Sequence, residues 1–154
     1  MSVQEGDPAP AFSMPASAGR EVSTAKLKGR PYILYFYPKA DTSGCTKEAC
    51  AFQEALTQFV KIGIEVIGVS PDPLPRIEKF ALKYNLVFPL ASDQSTEVAQ
   101  AYGVWVEKSM YGRKYMGIER STFLIDGAGK IARVWRKVKV EGHAKDVMAA
   151  ARAL

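Results

Sequence analysis

The chain has 154 residues and carries 21 Lys and Arg against 16 Asp and Glu, a net charge of +5. That length is enough for one domain over residues 1–154 to bury a full core without staples, and the mixing of charged with apolar residues excludes general disorder. Two cysteines are too few for a disulfide scaffold, so a reducing compartment is the expectation.

Met1–Ala11 has neither a basic start nor an apolar h-region. No signal peptide is therefore expected, and a cytoplasmic protein is the reading. No apolar run is long enough to cross a bilayer, so no membrane partner is expected. Gly6, Pro8, Pro10, Pro15 and Gly19 mark an irregular lead-in with a small hairpin over one end of the core, anchored by Phe12 and Met14. Lys26-Leu27-Lys28-Gly29 reads as a short turn. Tyr32–Tyr37 is apolar and aromatic throughout, the pattern of a buried strand. A loop punctuated by Pro38 and Gly44 follows, and then a helix over Cys45–Ile62 closed by Gly63. Its apolar positions Ala49, Phe52, Leu56, Phe59 and Val60 recur at three- and four-residue steps.

Ile64–Val69 is a second strand by its β-branched content. Asp72-Pro73 reads as an N-cap with Pro at the first helical position, ahead of a face formed by Ile77, Phe80, Ala81 and Tyr84. Val87–Leu90 is a short extended piece, marginal or at an edge because of Pro89. Ser95–Tyr102 is a short helix with Val98, Ala101 and Tyr102 inward. Val104–Ile118, with Trp105, Tyr111 and Tyr115, reads as a surface loop near the site. Thr122–Ile125 and Ile131–Val138 are strands joined by the turn signal Asp126-Gly127-Ala128-Gly129. A last helix runs from His143, with Val147, Ala150, Ala151 and Leu154 on one face. Arg133–Lys139 is the densest basic stretch, but its charges interleave with Val and Trp as a strand would, so no nucleic-acid partner is expected. A βαβ unit followed by ββα predicts an α/β fold, with a mixed central β-sheet and helices on both faces.

Both cysteines stand at the start of the first helix, where unpaired N–H groups and the helix dipole favour an anion. On a helical wheel, at about 100° per residue, Phe52, Leu56, Phe59 and Val60 fall within about 60° of Cys45, and Cys50 falls about 140° away on the polar side. Glu48 flanks the inward stripe. Pro38-x-x-x-Thr42-x-x-Cys45 resembles the signature of the peroxiredoxins. Thr42-x-Gly44-Cys45-Thr46-x-Glu48-x-Cys50 is similar to their Q-type branch, the bacterioferritin comigratory proteins. The resemblance extends through Gly68-Val69-Ser70, Tyr102-Gly103-Val104 and Glu119–Asp126. One departure is Ser43, where the branch usually carries Pro, which implies a less rigid loop.

The resemblance implies a thioredoxin-like fold and a thiol-dependent peroxidase acting on hydrogen peroxide and organic hydroperoxides. Cys45 is then the peroxidatic thiolate, oxidised to a sulfenic acid. Cys50 is the resolving thiol that forms an intramolecular disulfide with it. Thioredoxin or a glutaredoxin is the implied reductant, with no cofactor, no metal and a monomeric chain. Two cysteines five apart on an intact helix have Cα atoms about 8 Å or more apart, beyond the roughly 7 Å reach of a disulfide. The first turn must therefore unwind for them to bond. A lowered thiol pKa gains at most roughly 30-fold in thiolate, so the rate also needs stabilisation of the leaving oxygen. Thr42 and the Cys45 N–H are placed to supply it. The resemblance points to Arg120 as the cation holding thiolate and peroxide, to Glu48 as the carboxylate orienting that cation, and to Pro38 as the shield from bulk water.

Competing readings remain open here. A thiol–disulfide oxidoreductase of the same fold normally carries C-x-x-C, where this chain has C-x4-C. A redox sensor in which the disulfide switches a surface is the non-enzymatic alternative. His143, the one histidine, reads as a cap or surface residue; alone it supports neither a Cys–His protease nor a zinc site.

Overall fold

A computed structural model describes residues 3–154; Met1 and Ser2, at the start of the expected lead-in, lie outside the described residues. The chain runs β1 (Ser13–Ala16), β2 (Arg20–Ser23), β3 (Tyr32–Phe36), α1 (Ser43–Lys61), β4 (Glu65–Ser70), α2 (Leu74–Lys83), β5 (Leu90–Ser92), α3 (Glu97–Ala101), β6 (Trp105–Met110), β7 (Arg113–Ile118), β8 (Ser121–Ile125), β9 (Ile131–Trp135) and α4 (His143–Arg152).

All five residues of β3 are buried. The strand pairs in parallel with β4 and antiparallel with β8. Its side chains alternate between two cores. Ile33, Tyr35 and Tyr37 pack with α1, α2 and α4, while Tyr32, Leu34 and Phe36 pack with α3 and the lead-in. A strand covered on both faces is apolar at every position, which is why this run is so legible in the sequence. The sheet order is β2-β1-β5-β4-β3-β8-β9. It is a mixed sheet with helices on both faces, and the fold is thioredoxin-like.

Several segments differ from the sequence expectation. The lead-in hairpin, β1–β2, extends the sheet through an Ala16–Ala91 pairing with β5. Strand β5 begins only at Leu90 and lies between β4 and β1, so it is interior rather than an edge. Pro89 precedes the strand and uses only its carbonyl, which accepts from the Gly68 N–H. Val104–Ile118 is not a loop but a separate two-stranded hairpin, β6–β7. Its two-residue turn, Tyr111-Gly112, has positive φ at both positions (51° and 77°). That is the turn geometry of tight hairpins, reached here without the usual Asn or Asp. Val60, placed inward by the wheel, is 64% exposed at the edge of a face whose centre is held by the fully buried Phe59, and Leu154 lies past the end of α4. In α3 Val98 is buried as expected, but the buried alanine is Ala99 and not Ala101. Strand β9 stops at Trp135, short of Val138.

Gly68 in β4 is a packing constraint. A Cβ there would stand 2.8 Å from both Leu90 Cδ2 and Tyr35 Cζ. Tyr35 has no room to yield, since its ring stacks on Phe52 at 4.7 Å. Gly68→Ala is expected to lower stability by about 1–3 kcal/mol through overpacking; an unchanged urea midpoint would show that the sheet adjusts freely.

Candidate active site

The segment between β3 and α1 is fastened from below. Ala40 N–H donates to Asp72 Oδ2 at 2.7 Å, the Ser70 hydroxyl donates to the same oxygen at 2.8 Å, and Arg76 pairs with Asp72 Oδ1 at 3.3 Å. Asp72 therefore does not cap α2; Pro73 takes the N-cap position. A buried backbone N–H needs a partner, and the loop supplies none of its own. Farther out, Asp41, in the left-handed region at φ 62°, accepts from Lys83 at 2.9 Å and Tyr84 at 2.8 Å. Those two bonds hold its carboxyl below the usual range. Pro38 is half-buried at the base of this loop.

Thr42 is the N-cap of α1, extended at ψ 160° and with no side-chain cap. Its hydroxyl donates to the Lys39 carbonyl at 2.9 Å, which leaves it an acceptor toward its other neighbours. The first backbone bond of the helix runs from Thr46 N–H to Thr42 O. The N–H groups of Ser43, Gly44 and Cys45 precede that bond, so they form the positive end of the helix. Ser43 is the first helical residue, a position that also accepts Pro.

Cys45 is buried on the inward face of this first turn. Arg120, entering from the segment before β8, reaches it with Nη2 donating to Sγ at 3.3 Å, while Nη1 pairs with Glu48 Oε1 at 2.6 Å. The backbone of Arg120 is held by Val138 N–H donating to its carbonyl. Gly44 gives the guanidinium room: a Cβ there would lie 3.4 Å from Nη2. Burial alone would lower the Arg120 pKa, but Glu48 and Cys45 outweigh it and hold the cation above its usual value.

Glu48 is only 1% exposed. Burial pushes its carboxyl up to about 7 against the opposing pull of Arg120. Among the described residues its Oε2 has no hydrogen-bond partner, nor have the buried hydroxyls of Tyr35 and Tyr37 on the same side of the sheet. Cys50 is half-buried on the same unbroken helix, unpaired, and its thiol is raised first by burial and then by Glu54.

The structure thus brings Cys45, Arg120 and Glu48 into direct contact, and puts Thr42 and Pro38 on the connection leading into them. It does not bring Cys50 to Cys45. Asp72 is a positioning residue that the sequence pattern does not reveal, because Asp before Pro reads as a cap. His143 is neither cap nor surface. It is buried, with Nε2 at 2.7 Å from Thr122 Oγ1 and edge-on rings of Phe52 and Trp135 around it. Burial lowers its pKa to about 4, so it is neutral. Among the described residues, no group of three or more His, Cys, Asp and Glu side chains is placed to hold a metal ion.

Comparison with known proteins gives a consistent picture. Residues 5–134 match the AhpC/TSA family. The putative peroxiredoxin bcp of Coxiella burnetii is 50% identical over 148 residues, covering 96% of this chain and 98% of that one. Peroxiredoxin Bcp of Bacillus subtilis is 43% identical over 148 residues, covering 96% and 94%. Among solved structures, the Xanthomonas campestris bacterioferritin comigratory protein, studied for its alkyl peroxide reduction activity, superposes with a TM-score of 0.88. That likeness holds at 40% identity over 92% of this chain and 90% of the other.

The raised Glu48 pKa has a definite sign in stability. A carboxyl that holds its proton more tightly when folded stabilises the protein below its unfolded pKa, and this contribution is lost as pH rises through about 7. The stability advantage of the wild type over Glu48→Gln should therefore shrink by on the order of 2–3 kcal/mol between pH 5 and pH 8. Urea titrations of both proteins at the two pH values test it; a widening gap would reverse the assignment.

Proposed function

The chain belongs to the AhpC/TSA family, as a peroxiredoxin of the branch named Bcp or peroxiredoxin Q, and we propose that it reduces hydrogen peroxide and organic hydroperoxides through Cys45. The observation that carries this reading is the Arg120 guanidinium, bonded at once to the Cys45 sulfur and to the buried Glu48 carboxyl. The guanidinium sets a positive charge against the sulfur that attacks, and its remaining N–H groups can hold a peroxide oxygen. Glu48 fixes the plane of that cation.

The thiolate attacks the distal oxygen of the hydroperoxide. The S–O bond forms as the O–O bond breaks, and the departing alkoxide or hydroxide leaves as alcohol or water after taking a proton. Negative charge grows on that departing oxygen. Arg120 and the first N–H groups of α1 face the region where it develops, and donors set in advance in a water-poor site lower the barrier most. Thr42 contributes through its hydroxyl, once that group turns from the Lys39 carbonyl. Pro38 offers no N–H and screens the sulfur from bulk water.

Cys45 then carries a sulfenic acid. The Cys50 sulfur displaces its hydroxyl as water, giving a Cys45–Cys50 disulfide that a dithiol protein of the thioredoxin or glutaredoxin class reduces. Since α1 is continuous through both cysteines, its first turns unwind in this step. Helix ends open at least cost. We read the protein as a monomer of the reducing cytoplasm; no described helix is long and apolar enough to cross a membrane.

Rapid mixing of the reduced protein with one equivalent of hydrogen peroxide, followed by tryptophan fluorescence and thiol counting, tests the scheme. Two thiols per chain should disappear far faster than a free thiol reacts, and Cys45→Ser should abolish this. Cys50→Ser should instead accumulate sulfinate at Cys45 and lose activity within a few turnovers at high peroxide. Slow oxidation indifferent to Cys45→Ser would move the assignment to a thiol–disulfide oxidoreductase or sensor.

A further inference from the structure

The hairpin β6–β7 lies outside the main sheet, and the chemistry above makes no use of it. Cross-strand partners share a face, so the register Val106–Gly117, Lys108–Tyr115 and Met110–Arg113 puts these six residues on one side of the hairpin. Lys108 does not extend from that side into solvent. It is half-buried and folds back over Gly117, where a Cβ would meet Lys108 Cδ at 3.3 Å and Cε at 3.6 Å. Gly117 leaves room for the lysine stem and for the Tyr115 ring, whose Cε2 would lie 3.5 Å from the same Cβ, and it stands three residues before Arg120.

Among the described residues Lys108 has neither a salt bridge nor a side-chain hydrogen bond. Partial burial costs it hydration and lowers its pKa, and the positive charge of Arg120 acts in the same direction. A half-buried ammonium with no protein partner among the described residues, laid along the strand that leads within three residues to Arg120, has a site to offer an anion. Arg120 is already committed to Cys45 and Glu48; Lys108 is not. Across the strand, Tyr115 supplies an amphipathic ring beside the ammonium.

We infer that Lys108 is a specificity residue for the peroxide substrate, which recognises a carboxylate carried a few bonds from the O–O bond while Tyr115 covers the intervening carbons. This rests on the peroxidase reading and refines its substrate class: anionic hydroperoxides are favoured over neutral ones of the same shape.

The test compares tert-butyl hydroperoxide with its analogue bearing a carboxymethyl arm on one methyl, as the free acid and as the methyl ester. The rate of Cys45 oxidation is read in a single turnover at low ionic strength. The wild type should oxidise with the acid about 5–10-fold faster than with the ester, the gain of about one partly screened ion pair. Lys108→Gln should bring that ratio to about 1, and Lys108→Arg should keep it above 1. A wild-type ratio of one or less overturns the inference. So does a loss in Lys108→Gln that is equal for acid and ester, since the lysine would then act on the sulfur and not on the substrate. If no peroxide oxidises the wild type rapidly, it is the peroxidase reading that fails.

Discussion

A buried carboxyl on the inward face of a helix is costly unless a cation meets it, and Glu48 on α1 is such a group. Arg120 meets it from across the sheet and, in the same geometry, touches the Cys45 sulfur one helical turn earlier. The Cys45 thiol, the cation and the carboxyl are therefore one unit. Its members come from α1 and from the segment before β8, the strand that pairs with β3. Anything that moves α1 against the sheet changes both contacts together. This is why the packing under α1, through Tyr35, Phe52 and the Gly68 gap, bears on the chemistry as well as on stability.

In the proposed cycle the same site has to come apart. A disulfide between residues five apart on a helix would need the helix opened, and the connection before α1 is held by two fastenings of different strength. Asp72, buried beneath Ala40, ties the backbone to β4 and is the durable one. Asp41, exposed and clasped by Lys83 and Tyr84, is open to water and salt. The loop can thus loosen at its outer end while its inner end stays registered on the sheet. His143 packs against the inward face of α1 as a neutral ring, with Phe52 and Trp135 edge-on to it and Thr122 bonded to it. Neutrality matters there, because a charged imidazole in that apolar setting would repel Arg120 and lose hydration.

Much of the architecture is legible in the residues. Tyr32–Tyr37 is apolar at every position because both faces are covered. The Phe52 and Phe59 spacing marks α1, and Asp126–Gly129 marks the β8–β9 turn through the Asp126 carboxylate that accepts from Ala128 and Lys130. The misses have a common cause, in that a local pattern was outvoted by a distant neighbour. Asp72 looks like a cap but answers Ala40. Val60 has an acceptable helical phase but stands at the edge of the buried face, where the core already ends at Phe59. The β6–β7 hairpin is mostly exposed on both faces, so it lacks the alternation by which half-buried strands are read.

By itself the sequence determined the groups of the proposed site: a thiol at a helix start, with Thr42 and Pro38 before it, and Arg120 in the segment leading to a buried strand. These are local facts, since a helix N-terminus and a turn depend on residues close in the chain. Only the tertiary structure decided which groups meet. The 3.3 Å and 2.6 Å contacts of Arg120 span more than seventy residues, and the folding of Lys108 over Gly117 depends on a register that no single strand encodes. Contact between distant residues is set by packing the whole chain at once, and the pull of each buried charge on its partners is felt only after water has been excluded from between them.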